Sequence, residues 1–206
     1  MPSIYQLKPA FQNLLRPIVR WLAKVGVTAN QVTILATCLS IAGGGSIVWH
    51  HSLLILVPPL LLLRMMLNAI DGMLAREHQM KTPLGAILNE LGDAISDAAI
   101  YLPFGLLPGV SGSLVTIFVL LAIISELAGV LGLTVGSQRQ YDGPMGKSDR
   151  AVMFSIIALL FTVGISPTSW LNLVWIGAVG LSIWTCINRV VSTLVEIEQN
   201  DKSSSS

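Results

Sequence analysis

Asp71, Arg76, Glu90, Asp93 and Asp97 lie inside or beside runs that are otherwise apolar enough to cross a bilayer. A charged side chain at bilayer depth is expensive, so a cluster of them marks a functional site by default. The spacing sharpens this reading. Gly85, Asn89, Asp93 and Asp97 recur every four residues and stack on one face of a helix. Asn68 and Asp71 stand three apart, and Gly72 and Ala75 continue that side of the preceding helix. A helical hairpin turns the two oxygen-rich stripes toward each other, and facing hard oxygens suit Mg²⁺, Mn²⁺ or Ca²⁺. The small residues Gly72, Ala75 and Gly85 leave room beside them for a ligand or a close backbone.

The stretch from Asn68 to Asp97 resembles the signature of the CDP-alcohol phosphatidyltransferases. That pattern runs Asp, two residues, Asp-Gly, two residues, Ala-Arg, eight residues, Gly, three residues, Asp, three residues, Asp. Asp71-Gly72, Ala75-Arg76, Gly85 and Asp93 match it in type and spacing, while Asn68 and Asn89 stand at its first and third aspartates. The earlier segment VTANQVT is similar to the one that precedes the family's first membrane helix, with Ala29 in place of a proline.

The resemblance implies transfer of a phosphatidyl group from CDP-diacylglycerol to a small alcohol, with release of CMP. It implies Mg²⁺ or Mn²⁺ held by Asp71 and Asp93 with the amide oxygens of Asn68 and Asn89. Gly72, Ala75, Arg76 and Gly85 match positions for the CDP group, with Asn30 near its diphosphate. Asp93 matches the catalytic base, with Asp97 as a second candidate. A homodimer is typical of the family.

Charge also matters. Four carboxylates offset two divalent cations, whereas Asp71 and Asp93 offset one. Glu90, Asp93 and Asp97 form a slightly rotated stripe, and we expect Glu90 and Asp97 to restore the missing charge. The asparagines keep a second function class open, a relative that binds CDP-lipid or metal without efficient turnover. A transporter using the intramembrane acids is a third, and confinement of the acids to one leaflet argues against it.

Composition sets the frame. The chain has 206 residues, 53% hydrophobic and only 11% charged, with mean hydropathy +0.73. A soluble domain would carry about 25% charge, so an all-α integral membrane protein is expected. It reads as one domain over 1–206, with an amphipathic helix at 8–25, a six-helix bundle at 31–191 and a cytoplasmic tail at 192–206. The net charge of +1 says little by itself, and no nucleic-acid partner is expected. Cys38 and Cys186 fall in separate apolar segments and read as small buried hydrophobes. No cleavable signal peptide is expected.

In the first helix Phe11, Leu14, Leu15, Ile18, Val19 and Leu22 repeat at helical spacing, with Lys8, Gln12, Arg16, Arg20 and Lys24 elsewhere on the wheel. Such a helix lies in the interface against anionic membrane lipids, or docks on the protein's own cytoplasmic face. Thr28 and Asn30 are candidate caps for the next helix. Six apolar segments follow, near 31–49, 53–76, 84–107, 112–135, 150–166 and 169–191. Gly43-Gly44-Gly45 reads as a close-packing surface, and Pro58-Pro59 is expected to kink the second segment.

The N-terminal region, two connections and the C-terminus carry the twelve basic residues, apart from Arg64 and Arg189, which lie within helices toward the same side. Both termini and the Asn68–Asp97 hairpin are therefore expected to be cytoplasmic, in a bacterial-type inner membrane. Between the fourth and fifth segments, Lys147 and Arg150 resemble the family's basic segment at the mouth of the site and suit phosphate; an ordinary positive-inside loop is the alternative. Asp149 and Arg150 could also pair locally. Glu126, mid-helix, requires a dedicated partner. His50, His51 and His78 carry no ligand spacing. Trp21, Trp170, Trp175 and Tyr101 read as interface anchors or packing.

Overall fold

The computed structural model describes residues 7–165 and 170–204, with side chains from 10 to 202 outside the gap. The described residues form helices joined by loops, without strands. Helix α1 spans Leu7–Lys24, α2 Ala29–Trp49, α3 Val57–Glu77, α4 Pro83–Tyr101, α5 Gly112–Leu131, α6 Lys147–Thr162 and α7 Trp170–Ser204. Short 3₁₀ turns at His51–Leu56, Leu102–Leu106 and Gly132–Val135 abut α3, α4 and α5. Among the described residues four stretches are long and apolar enough to cross a membrane: Ala29–Trp49, His51–Glu77, Gly112–Val135 and Trp170–Lys202. Helix α4 carries Glu90, Asp93 and Asp97, and α6 is only 16 residues long. The helices expose apolar side chains outward, among them Leu35, Leu62, Leu120, Ile124 and Ile187. That is how a helix looks when lipid rather than water surrounds it, and the chain is an integral membrane protein.

Helix α1 packs Leu15 and Val19, both essentially fully buried, into a cluster with Val32, Ile70, Met73 and Leu74. Arg16 clamps it to the end of α3 through two bonds to Glu77, at 3.0 and 3.3 Å. Leu14, Ile18, Trp21 and Val25 remain exposed on its other side. At the opposite end of the bundle an aromatic core gathers around Phe154, which stacks on Tyr101 at 3.8 Å and meets Phe104 edge-on at 4.8 Å. Phe118 and the fully buried Trp175 complete it. Tyr101 and Trp175 are thus packing residues, while Trp21 and Trp170 keep surface exposure.

Close approach of α2 and α4 positions the site. A Cβ on Gly44 would lie 1.9 Å from the Ala99 carbonyl oxygen, and one on Gly92 would lie 2.7 Å from Thr37 Oγ1. Only residues without a Cβ let the two backbones meet there. Thr28 starts α2 with a capping box, its hydroxyl accepting from Gln31 N–H while Gln31 Oε1 accepts from Thr28 N–H. Helices α3 and α4 form the hairpin, turning at Gln79 with φ 57°, in the left-handed region.

Several expectations need correction. Pro58 and Pro59 sit in the first turn of α3, where an N–H is unpaired anyway, so they start a helix rather than kink one. Cys38 is exposed on the outer surface of α2 and Cys186 is partly buried; both are free. Helix α7 continues through the expected tail as far as Ser204. Its Glu196 accepts from Ser137 Oγ, the Gln138 amide and Gln140 Nε2 in the loop before α6. The segment ends expected at 166 and 169, Lys8's side chain and Ser205–Ser206 lie outside the described residues.

Candidate active site

A cavity of about 630 Å³ opens where α2, α3, α4 and the loop before α6 converge. From α3 come Asn68, Asp71, Gly72, Ala75 and Arg76; from α4 come Gly85, Asn89, Glu90 and Asp93. Asn30 and Thr33 of α2 line another wall, and Arg139, Tyr141 and Lys147 close the far side. The two stripes therefore face one space, with Asp71 and Asp93 both mostly buried at its floor. Asp97 and Arg150 do not line it.

Each carboxylate has named partners. Thr33 donates to Asp71 Oδ2 at 2.8 Å. Asp93 Oδ1 accepts from Asn68 Nδ2 at 2.9 Å and Arg64 Nη2 at 3.3 Å, while the Lys147 ammonium bonds Oδ2. Behind the floor, Asp97 accepts from Arg64 through Oδ1 and from Arg150 Nη2 through Oδ2, the latter at 3.1 Å. Arg150 also reaches Glu126 Oε1 at 2.8 Å, and Arg189 approaches that oxygen at 3.5 Å. Arg139 pairs with Glu90 and, at 3.5 Å, with Glu126. Partial burial disfavours the Arg139 charge, but its acidic neighbours more than offset that and raise its pKa.

The intramembrane Glu126 thus has its dedicated partners, and they come from the loop before α6, α6 and α7. Asp149 instead caps α6, accepting from the Gly146 N–H at 2.9 Å, so Asp149 and Arg150 do not pair with each other. Arg150 is fully buried and committed to Asp97 and Glu126, so of Lys147 and Arg150 it is Lys147 that meets the cavity. Glu90 is engaged by Arg139 and Asp97 by Arg64 and Arg150. Among the described residues no three His, Cys, Asp or Glu side chains are grouped to hold a metal ion.

The cavity's second end is built on small and capping residues. Thr82 caps α4 by accepting from Gly85 N–H at 2.9 Å, and Asn30 Nδ2 reaches that hydroxyl at 3.4 Å. Asn30 is therefore not a helix cap; it crosses to α4. A Cβ on Gly85 would lie 2.6 Å from Asn30 Oδ1. Thr82, Met80 and Lys81 were not singled out from sequence, nor was Arg64 as the link between Asp93 and Asp97. The position of Thr82 just before Pro83 is a capping signal that was available.

Residues 26–187 match the model of the CDP-alcohol phosphatidyltransferase family. The chain belongs to that family. It is 47% identical over 195 residues to the inner membrane protein YnbA of Escherichia coli (strain K12), covering 94% of this chain and 97% of that one. It is 34% identical over 94 residues to the phosphatidylinositol phosphate synthase of Mycobacterium bovis (strain BCG / Pasteur 1173P2), covering 46% of this chain and 43% of that protein. Its fold is similar to the Mycobacterium tuberculosis phosphatidylinositol phosphate synthase solved with manganese and citrate, with TM-score 0.70, 23% identity and coverage of 86% and 88%. The same protein solved with CDP-DAG bound gives TM-score 0.68 over 86% of this chain and 92% of that one. Asn68, Asp71, Gly72, Ala75, Arg76, Gly85, Asn89 and Asp93, the residues that carry the sequence resemblance, all line the cavity.

Proposed function

We propose that this protein transfers the phosphatidyl group of CDP-diacylglycerol to the hydroxyl of a small alcohol and releases CMP. The observation that carries this reading is the convergence of the α3 and α4 motif residues on one open cavity. The mycobacterial structure with CDP-DAG bound supports the donor class. In the reaction the acceptor oxygen bonds the phosphatidyl phosphorus, the bond from phosphorus to the oxygen kept by CMP breaks, and the acceptor proton leaves to a base.

Transfer of this kind depends mainly on positioning and charge neutralisation. Gly72 and Ala75 leave space for the CDP group, with Asn30 and Gly85 beside it, and Arg76 and Lys147 offer cations to the diphosphate. Asp93 is the base we assign, because it lines the cavity and Asp97 does not. Asp71 and Asp93, with the amide oxygens of Asn68 and Asn89, form a hard-oxygen set that fits one Mg²⁺ or Mn²⁺. When bound, such an ion neutralises diphosphate charge and stabilises leaving CMP.

In the same reading α4 and α6 complete six membrane helices. The exposed apolar stripe of α1 lies in the interface, and the basic residues place the termini and cavity on the cytoplasmic side. A homodimer is the assembly we expect. The test is CMP release by purified protein across a panel of alcohols, with and without Mg²⁺ or Mn²⁺. Metal-dependent release that disappears in Asp93→Asn supports the reading. Its absence with every acceptor and both metals overturns it.

A further inference from the structure

We propose that Lys147 takes the place of a second divalent ion: the chain binds a single ion, at Asp71 with Asp93, and carries its other site cation as a lysine paired with Asp93. The inference rests on the functional reading above only for the role of the cavity, not for the ion count.

Charge is the first argument. Asn68 and Asn89 present amides at two positions of the facing stripes, so Asp71 and Asp93 are the carboxylates available to cations in the cavity. Glu90 and Asp97 cannot make up the difference, since Arg139 holds the first and Arg64 and Arg150 hold the second. Two carboxylates offset one divalent ion. A second would face unfavourable charge beside Arg64 and Lys147.

Geometry is the second argument. Asp93 is already well engaged from the protein side: Asn68 and Arg64 donate to Oδ1, and Lys147 takes one of the two acceptor positions of Oδ2. Asn68 contributes its amide N–H to Asp93 at 2.9 Å, a contact that an aspartate in its place could not donate. Asp71, by contrast, has a Thr33 hydroxyl on Oδ2 and, among the described residues, no basic side chain in an ion pair with it. The Lys147 side chain is about one-third exposed, so its ammonium can remain at the cavity face while neutralising Asp93. Lysine is a compact point charge on a flexible stem, which suits it to stand where an ion would bridge carboxylate and phosphate.

The test counts ions rather than turnover. Mn²⁺ is titrated into the purified full-length protein, with CDP present, and free Mn²⁺ is read by electron paramagnetic resonance. One Mn²⁺ per chain is expected for the wild type, and two for the triple variant Asn68→Asp/Asn89→Asp/Lys147→Gln. Two ions in the wild type, or none, overturn the proposal. So does one ion in a triple variant that melts at the wild-type temperature. Should the triple variant not fold, Lys147→Gln alone decides: at saturating Mn²⁺ its affinity for CDP is expected to fall about tenfold, the weight of a charge-assisted bond, and unchanged affinity overturns the proposal. Thermal stabilisation by CDP-diacylglycerol is measured on the same samples. Its loss with the ion count intact would sink the functional reading and leave this one standing.

Discussion

Arg150 of α6 donates to Asp97 of α4 at 3.1 Å, and neither side chain reaches the cavity. A buried carboxylate between two guanidiniums holds helices together rather than moving protons. Removing one partner of such a pair leaves uncompensated buried charge, at a cost of about 3–5 kcal/mol. Asp97→Ala leaves Arg64 and Arg150 without this shared partner, so a large fall in melting temperature is expected in detergent or nanodiscs. A variant that melted like the wild type but lost activity would instead identify Asp97 as the base.

The α2–α4 contact gives a prediction with an internal control. In Gly44→Ala the new Cβ would meet the Ala99 carbonyl oxygen at 1.9 Å, so the helices must part. Overpacking of this kind costs about 1–3 kcal/mol. The adjacent Gly45 has open space at the same distance limit, and Gly45→Ala gains helix propensity. Thermal melting is expected to fall for the first and hold or rise for the second. Equal behaviour would mean that the glycine run packs on nothing.

Thr33 supplies a partner that orients Asp71. Its hydroxyl donates to Oδ2 at 2.8 Å and also lies 3.1 Å from the Ala29 carbonyl oxygen. Groups that orient a ligand carboxylate affect metal affinity by about 10–100-fold when removed. Thr33→Val keeps the shape, so Mn²⁺ affinity is expected to drop by about tenfold with little change in melting. An unchanged affinity would separate Asp71 from the ion.

The hairpin was legible in the sequence because its information is periodic and local. Asn68, Asp71, Gly85, Asn89 and Asp93 reach the cavity by helical spacing alone. Glu126 could be recognised as needing a partner, but Arg139, Arg150 and Arg189 could not be named, since that pairing depends on how α5, α6 and α7 pack. For the same reason Arg150 was expected beside Lys147 as a phosphate-binding residue at the mouth of the site, whereas the fold buries it completely. Pro58-Pro59 misled because proline kinks a helix or begins one, and only the helix boundary decides. The Lys-Ser-rich end looked like a tail, yet Glu196 ties α7 to the loop before α6.

Gly85 tests whether the capping end of the cavity receives the CDP group. Its missing Cβ would stand 2.6 Å from Asn30 Oδ1 and 3.0 Å from Thr82 Oγ1. Gly85→Ala therefore displaces Asn30, whose Nδ2 now reaches Thr82 at 3.4 Å, and narrows the wall shared with Gly72 and Ala75. Displacement of about an ångström at a positioning group costs up to about 10²-fold. With the CDP-lipid varied, kcat/KM is expected to fall by about 10–100-fold. The loss should appear chiefly in KM if the residue shapes donor binding. Because Gly85 lies in the first turn of α4 and lines the open cavity, melting should change little. A loss confined to kcat, with donor KM unchanged, would move the CDP group away from this wall and toward Tyr141 and Arg139.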